Sequence, residues 1–374
     1  MQALEGIRVI EMAGLAPVPY CGMILADFGA DVVRVDRPNA RSADFLSRGK
    51  RSIAVDLKNP EGVETVLRLV ERADVLVEPF RPGVMERLGL GPEIAQARNP
   101  RLIYARLTGF GQTGTYANMA GHDINYIATA GALGPIARQG QRPLAPLNLV
   151  GDFAGGGMLC AMGIAFALLE RAHSDRGQVI DAAMVDGAAH LATFVFKLRA
   201  IGAWNDEAGT NLLDSGAPFY DTYETSDGKF MAVGAIEPQF YAALLKGLGL
   251  NGATDLPAQM DRTGWLTVRE RFTNAFREKS RDEWCAIFDG TDACTTPVLG
   301  LGEVAEHPHN RDRGTFAAGS DGHTEPMPAP RLSRTPGVAG TARPEAGQHT
   351  AEILREYGFT QAEIDQLAAA GAAV

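Results

Sequence analysis

Short β-branched runs alternate with helix-spaced apolar positions along the first half of the chain. Residues 8–12 and 31–36 are such runs, and the stretch 19–28 between them carries apolar positions three and four apart, so the three together predict a βαβ unit. A strand over 53–57 follows, and Asn59-Pro60-Glu61 opens a helix with proline in its first turn. The alternation continues with a strand over 73–78 that ends at Pro79-Phe80-Arg81-Pro82-Gly83, a short helix over 84–88, and a strand over 102–108 leading into a glycine-rich loop at 109–114. Repeated βα units of this kind predict an α/β fold with a doubly wound parallel sheet.

The pattern changes style further on. Residues 153–169 carry no charge and predict a buried helix opening at Asp152. A strand over 178–184 and a long apolar helix over 185–201 follow, with His190 packed in its core, and 203–216 has the mixed composition of a linker. Residues 219–225 and the run from Lys229 flank Ser226-Asp227-Gly228 and predict a β-hairpin. The return strand runs to Gly234-Ala235-Ile236-Glu237-Pro238, where a helix begins, and amphipathic stretches at 269–278 and 281–288 complete an α+β unit. The expected division is a large domain over 1–202, a linker over 203–216, a small domain over 217–325, and a return linker with a terminal helix pair over 326–374.

Composition narrows the function. A chain of 374 residues is long enough for two domains, and its formal net charge of −10 with a pI near 5.3 argues against a nucleic-acid partner, since phosphate backbones repel an acidic surface. The four cysteines, Cys21, Cys160, Cys285 and Cys294, form no C-x-x-C pair and suggest neither zinc nor a disulfide framework, which fits a reduced, cytoplasmic protein. The first residues lack the apolar run of a signal peptide. The apolar helix after Asp152 reads as shorter than the ~20 residues of a membrane span, so no span is expected. His307-Pro308-His309 has metal-like spacing but no third ligand nearby, and a loop is expected there. Between Arg34 and Lys58, seven basic residues (Arg34, Arg37, Arg41, Arg48, Lys50, Arg51, Lys58) face three acids (Asp36, Asp44, Asp56), which suits either a solvated face or a phosphate-bearing ligand. Arg81 and Arg87 lie at or just beyond the carboxyl end of a strand, the side where open α/β sheets bind ligands. Asp36 stands about where a ribose-binding acid would, yet the turn after Gly14 departs from G-x-G-x-x-G, so a dinucleotide dehydrogenase is a weak fit.

Candidate chemistry concentrates between Gly121-His122-Asp123-Ile124-Asn125-Tyr126 and Gly151-Asp152-Phe153-Ala154-Gly155-Gly156-Gly157. An imidazole and a carboxylate, each introduced by a glycine, stand at its two ends. Either the two are an acid/base pair, with the helix start after Asp152 offering N–H groups to an oxyanion, or Asp152 caps a core helix and His122 fills a polar gap.

Those two motifs, with Gly234-Ala235-Ile236-Glu237-Pro238, resemble the α-methylacyl-CoA racemases of the family III CoA-transferase superfamily. The likeness extends to 4–11, 26–32, 177–181, 330–336 and 349–354, and so covers nearly the whole chain. It implies a large Rossmann-like domain and a small α+β domain in an interlocked homodimer. It implies His122 and Asp152 as catalytic groups, Glu237 as the residue that orients the histidine from the partner subunit, and Arg34, Lys58, Arg81 and Arg87 as holders of coenzyme A, with Asp123 and Tyr126 around the pocket. The implied reaction interconverts (2R)- and (2S)-2-methylacyl-CoA thioesters by 1,1-proton transfer through an enolate, with no metal or redox cofactor and with coenzyme A as part of the substrate. A histidine and a carboxylate suit such a task, because each can start as base or acid near neutral pH. A family III CoA-transferase with Asp152 as nucleophile and a non-enzymatic acyl-CoA-binding protein are the alternatives.

Overall fold

The computed structural model describes residues 1–40, 46–319 and 322–374. It divides into two compact units, the first formed by Met1–Ala130, Pro146–Leu191 and Arg311–Val374, the second by Gly131–Ala145 and Ala192–Asn310.

The first unit is built on the expected parallel sheet. Its strands β1 (Arg8–Met12), β2 (Asp31–Asp36), β3 (Arg51–Ala54), β4 (Val75–Glu78), β5 (Ile103–Thr108) and β6 (Val179–Ala183) lie in the order β3-β2-β1-β4-β5-β6. Every neighbouring pair is parallel, with Ile10 opposite both Val33 and Leu76. Strand side chains alternate between faces, and two cores follow from that alternation. Ile10, Val33 and Leu76 point to one, with the helix Pro60–Val70 and the terminal helices Thr350–Glu356 and Gln361–Ala369. Val9, Val32 and Val75 point to the other, with the helix Pro17–Asp27 and Cys160, Ile164 and Ala167 of a later helix. The strand order reverses between β1 and β4, and at such a switch point the carboxyl ends of the strands leave a crevice.

The second unit is a three-stranded antiparallel sheet of β7 (Tyr220–Glu224), β8 (Phe230–Gly234) and β9 (Thr295–Pro297), with the helices Pro238–Gly247, Trp265–Phe276 and Arg281–Phe288. The expected hairpin is β7 and β8, with Gly228 in the left-handed conformation its turn needs. Aromatic rings fill the core, Tyr223 stacking on Phe276 and Phe276 meeting Trp284 edge-on. The buried carboxylate of Asp221 is held by Arg138 and Arg269.

Four expectations are corrected. The helix expected over 185–201 is two, Met184–Leu191 and Thr193–Ala200, broken where Ala192 leaves helical geometry at ψ 2°. The mostly apolar pattern gave no sign of that break, and His190, expected in the core, is exposed. His309 stands in a short helix, Pro308–Arg313, rather than a loop. The helix carrying Asp152 starts before the aspartate and runs over Leu149–Ser174, 26 residues, long and apolar enough by length and composition to cross a membrane. One face nevertheless packs on the sheet, and Arg171 near its end donates to Asp74 Oδ1 at 2.7 Å and to the Arg101 carbonyl at 3.1 Å.

Candidate active site

His122 occupies the position just before the helix Asp123–Thr129, with its backbone N–H held by Asn125 Oδ1 at 3.0 Å and its side chain exposed. The next residue points the other way. Asp123 is 4% exposed, and its Oδ2 accepts the backbone N–H groups of Gly151 at 2.6 Å and Asp152 at 2.8 Å. A side chain at 151 would place its Cβ 2.7 Å from that same oxygen, so glycine is required there. One turn on, the Tyr126 hydroxyl donates to the Gly121 carbonyl, and its ring meets Phe110 edge-on at 5.0 Å.

Asp152 lies in Leu149–Met158, ten residues wound as a π-helix before ordinary α-helical turns resume at Leu159. Such wide turns are uncommon and recur at functional sites. Asn148 Nδ2 donates to Asp152 Oδ2 at 3.1 Å, the reach of neighbours four apart on a helix. Burial pushes the Asp152 carboxyl above its ordinary range; the Asn148 hydrogen bond opposes that, the Asp123 carboxylate adds to it, and the charge of His122 opposes it. The Tyr126 hydroxyl is likewise pushed up by burial and by Asp152, against Arg81 and with Asp123. His122, Asp123, Tyr126, Asp152 and Arg81 therefore form one electrostatic cluster within the first unit. The expected open helix start after Asp152 is corrected: the N–H groups of Gly151 and Asp152 belong to Asp123, and that of Phe153 donates to the Asn148 carbonyl at 3.3 Å.

Glu237 belongs to the second unit. It stands exposed at the start of the helix Pro238–Gly247, and its charge adds to the burial that raises the Cys294 thiol.

The expected cations divide into two kinds. Arg34 is 3% exposed, its Nε donating to Asp36 Oδ2 at 2.8 Å, while its Nη1 is buried without a hydrogen-bond partner among the described residues. Asp36 Oδ2 also accepts from Ser52 Oγ at 2.6 Å, so this acid is engaged within the protein rather than turned to a ribose. Arg48 pairs with Asp27, Lys50 with Glu11 and Arg51 with Asp31, which turns much of the local basic excess inward. Arg41 and Asp44 lie outside the described residues. Lys58, Arg81 and Arg87 are exposed. The segment carrying Arg81 and Arg87 is fastened by a network that sequence reasoning missed: Arg106 on β5 donates to Glu78 Oε1 at 3.1 Å and to Glu86 Oε1 at 2.8 Å, and Glu78 Oε2 accepts the Phe80 N–H at 2.6 Å.

A doubly wound sheet with basic residues beyond its strand ends, an α+β unit and a buried-edge aspartate define a known class. Residues 4–350 match CoA-transferase family III, and the chain belongs to that family. It is 57% identical over 365 residues to the α-methylacyl-CoA racemase of Mus musculus, covering 97% of this chain and 96% of the relative. Against the α-methylacyl-CoA racemase of Homo sapiens the identity is 56% over 367 residues, covering 98% and 96%. A CaiB/BaiF family protein from Brucella suis has the same fold, with a TM-score of 0.81 and 26% identity over 95% of this chain and 99% of that one.

Proposed function

We infer that this chain is an isomerase that interconverts the (2R) and (2S) forms of 2-methylacyl-CoA thioesters. The relatives at 56–57% identity over nearly the whole chain support the activity. The observation that carries the chemistry is geometric: Asp123, the residue after His122, accepts the backbone N–H of Asp152 at 2.8 Å, which brings the segments bearing the imidazole and the carboxylate together. Inversion at the carbon beside a thioester carbonyl requires a base on one face and an acid on the other. In this reading neutral His122 takes the proton from one enantiomer while protonated Asp152 returns one to the opposite face, and ionised Asp152 takes it from the other enantiomer while His122 donates. The raised Asp152 carboxyl makes its protonated form more accessible than in an ordinary aspartate. With the Gly151 and Asp152 N–H groups engaged, and those of Asn125 and Tyr126 turned to the His122 carbonyl, the Asp123 and Ile124 N–H groups at the start of the helix that follows His122 take the enolate oxygen. Proton transfer by these groups calls for neither a metal nor a redox cofactor, and coenzyme A enters as part of the substrate, held by Lys58, Arg81, Arg87 and Arg34.

The working form in this reading is a homodimer in which Glu237 of the partner subunit orients His122. Met158, Met162, Phe166 and Leu169, spaced four, four and three apart on the Asp152 helix, are 51%, 42%, 61% and 64% exposed, an apolar stripe that a second chain would cover.

A family III CoA-transferase is the alternative of the same fold. The two separate when one pure enantiomer is incubated without any second acid and the thioester is analysed on a chiral column. The racemase reading expects both enantiomers to appear and hydroxylamine to trap nothing on Asp152. An unchanged enantiomer, with an acyl group trapped on Asp152, would establish the transferase instead.

A further inference from the structure

We propose that Asp123 is a positioning residue, whose carboxylate ties the Asp152 helix to the segment bearing His122 and so sets the gap across which the two groups face the substrate carbon. The inference rests on the racemase reading. His122 and Asp123 are consecutive, one exposed and the other 4% exposed, so a displacement of Asp123 is passed to the imidazole through a single peptide unit. From the other side, Asp123 Oδ2 holds the backbone of Asp152 itself, at 2.8 Å, together with that of Gly151 at 2.6 Å. The Cβ clash of 2.7 Å that any side chain at Gly151 would make with that oxygen shows how closely the two segments are drawn together. Ile127 Cγ2, on the helix that Asp123 opens, would stand 3.2 Å from a Cβ added to Gly151, so that helix crowds the same spot. One carboxylate oxygen thus spans the two segments that carry the proton-transfer groups.

The second carboxylate oxygen, Oδ1, is buried and without a hydrogen-bond partner among the described residues. Two N–H donors suffice to hold the segments, so a neutral amide can keep the tie. Its charge does something separate. The groups acting on Asp152 are its burial, Asn148, Asp123 and His122, with Tyr126 and Arg81 adjoining, and of these Asp123 is the negative one that raises it. Removing that charge moves Asp152 toward ionisation at lower pH.

The test compares Asp123→Asn and Asp123→Ala with the wild type, measuring binding of free coenzyme A, and kcat and KM for loss of the C2 proton from each enantiomer across pH. Asp123→Ala is expected to bind coenzyme A normally yet lose about 10²-fold in kcat from both enantiomers, since a misplacement of about 1 Å costs that much. Asp123→Asn is expected to recover most of the loss, with the acidic limb of the direction in which Asp152 is the base moved to lower pH. If Asp123→Ala keeps the wild-type kcat, or if Asp123→Asn shows no displaced limb, the inference is wrong. Should Asp123→Ala fail to fold, Asp123→Glu, which keeps the carboxylate but lengthens the spacer, takes its place: it is expected to lose kcat from both enantiomers while binding coenzyme A, and a wild-type kcat would overturn the inference. A wild type that releases no C2 proton overturns the racemase reading, and this inference with it, and is thereby told apart from a failure of the inference only.

Discussion

At the scale of single residues, the two aspartates of the candidate site have opposite surroundings. Asp123 is enclosed and grips backbone N–H groups, whereas Asp152, half-buried, keeps a side chain available and is pushed up by burial. In the direction where Asp152 is the base, activity should therefore rise with pH through a value above the ordinary 3.8, because only the ionised form can take the proton. These roles were only partly legible. The glycine-flanked motifs and their family likeness singled out His122, Asp123, Tyr126 and Asp152, but spacing could not say which of the two aspartates would face inward. The basic run presents less outward charge than its count suggests, because a count of charges omits partners that come from distant segments. Lys50 and Glu11 meet with no exposure of either side chain, at 2.8 Å, and neither advertises the other in sequence. Asn148, which donates to Asp152 from the position just before the helix, gave no signal in the sequence, because the start of that helix was not legible.

At the scale of elements, the decisive feature is the wide-turned start of the Asp152 helix. Four glycines in its ten residues let other backbone approach, most closely at Gly155, where a Cβ added to Gly187 of the helix Met184–Leu191 would lie 1.9 Å from the Gly155 carbonyl oxygen. Gly187→Ala should therefore move the segment that carries Asp152. Overpacking of this kind costs about 1–3 kcal/mol of stability. We expect thermal unfolding to show that loss, and kcat to fall about 10²-fold while coenzyme A binding stays near wild type. Undiminished kcat would mean that this contact does not position the aspartate. The strands and the first helices were legible, because β-branched runs and the Asn59-Pro60 start each carry their own local signal. Indeed Asn59 Oδ1 accepts the Glu61 N–H at 3.0 Å, a cap readable from three residues. The π-helical turns were not legible: Gly155 and Gly157 suit a close approach, but Gly187 and Pro17, which make that approach, lie in other segments of the chain.

At the scale of the whole molecule, the parallel sheet follows from repeated βα units and is as expected, while the order of its strands comes from the structure alone. The division into units was harder to read, since the segment Gly131–Ala145 groups with residues beyond Ala192 through contacts such as Arg138 with Asp221, 83 positions away. The stripe of Met158, Met162, Phe166 and Leu169 is the feature that only the assembled chain displays. If a second copy covers it, sedimentation should give a dimer that persists on dilution to nanomolar concentration, and Phe166→Glu should release monomers with little activity; a fully active monomer would contradict the dimeric form. The account as a whole rests on two unlike bases, one for each face of the substrate carbon. Its most direct test is exchange of the C2 proton from each pure enantiomer in D₂O, followed by mass spectrometry, for the wild type, His122→Ala and Asp152→Ala. The wild type should label both enantiomers, and each variant should lose exchange from one of them by ~10² to 10⁴ while keeping more of it from the other, with the bias reversed between the two variants. Equal loss from both enantiomers in both variants, or a wild type that takes up no deuterium, would contradict it.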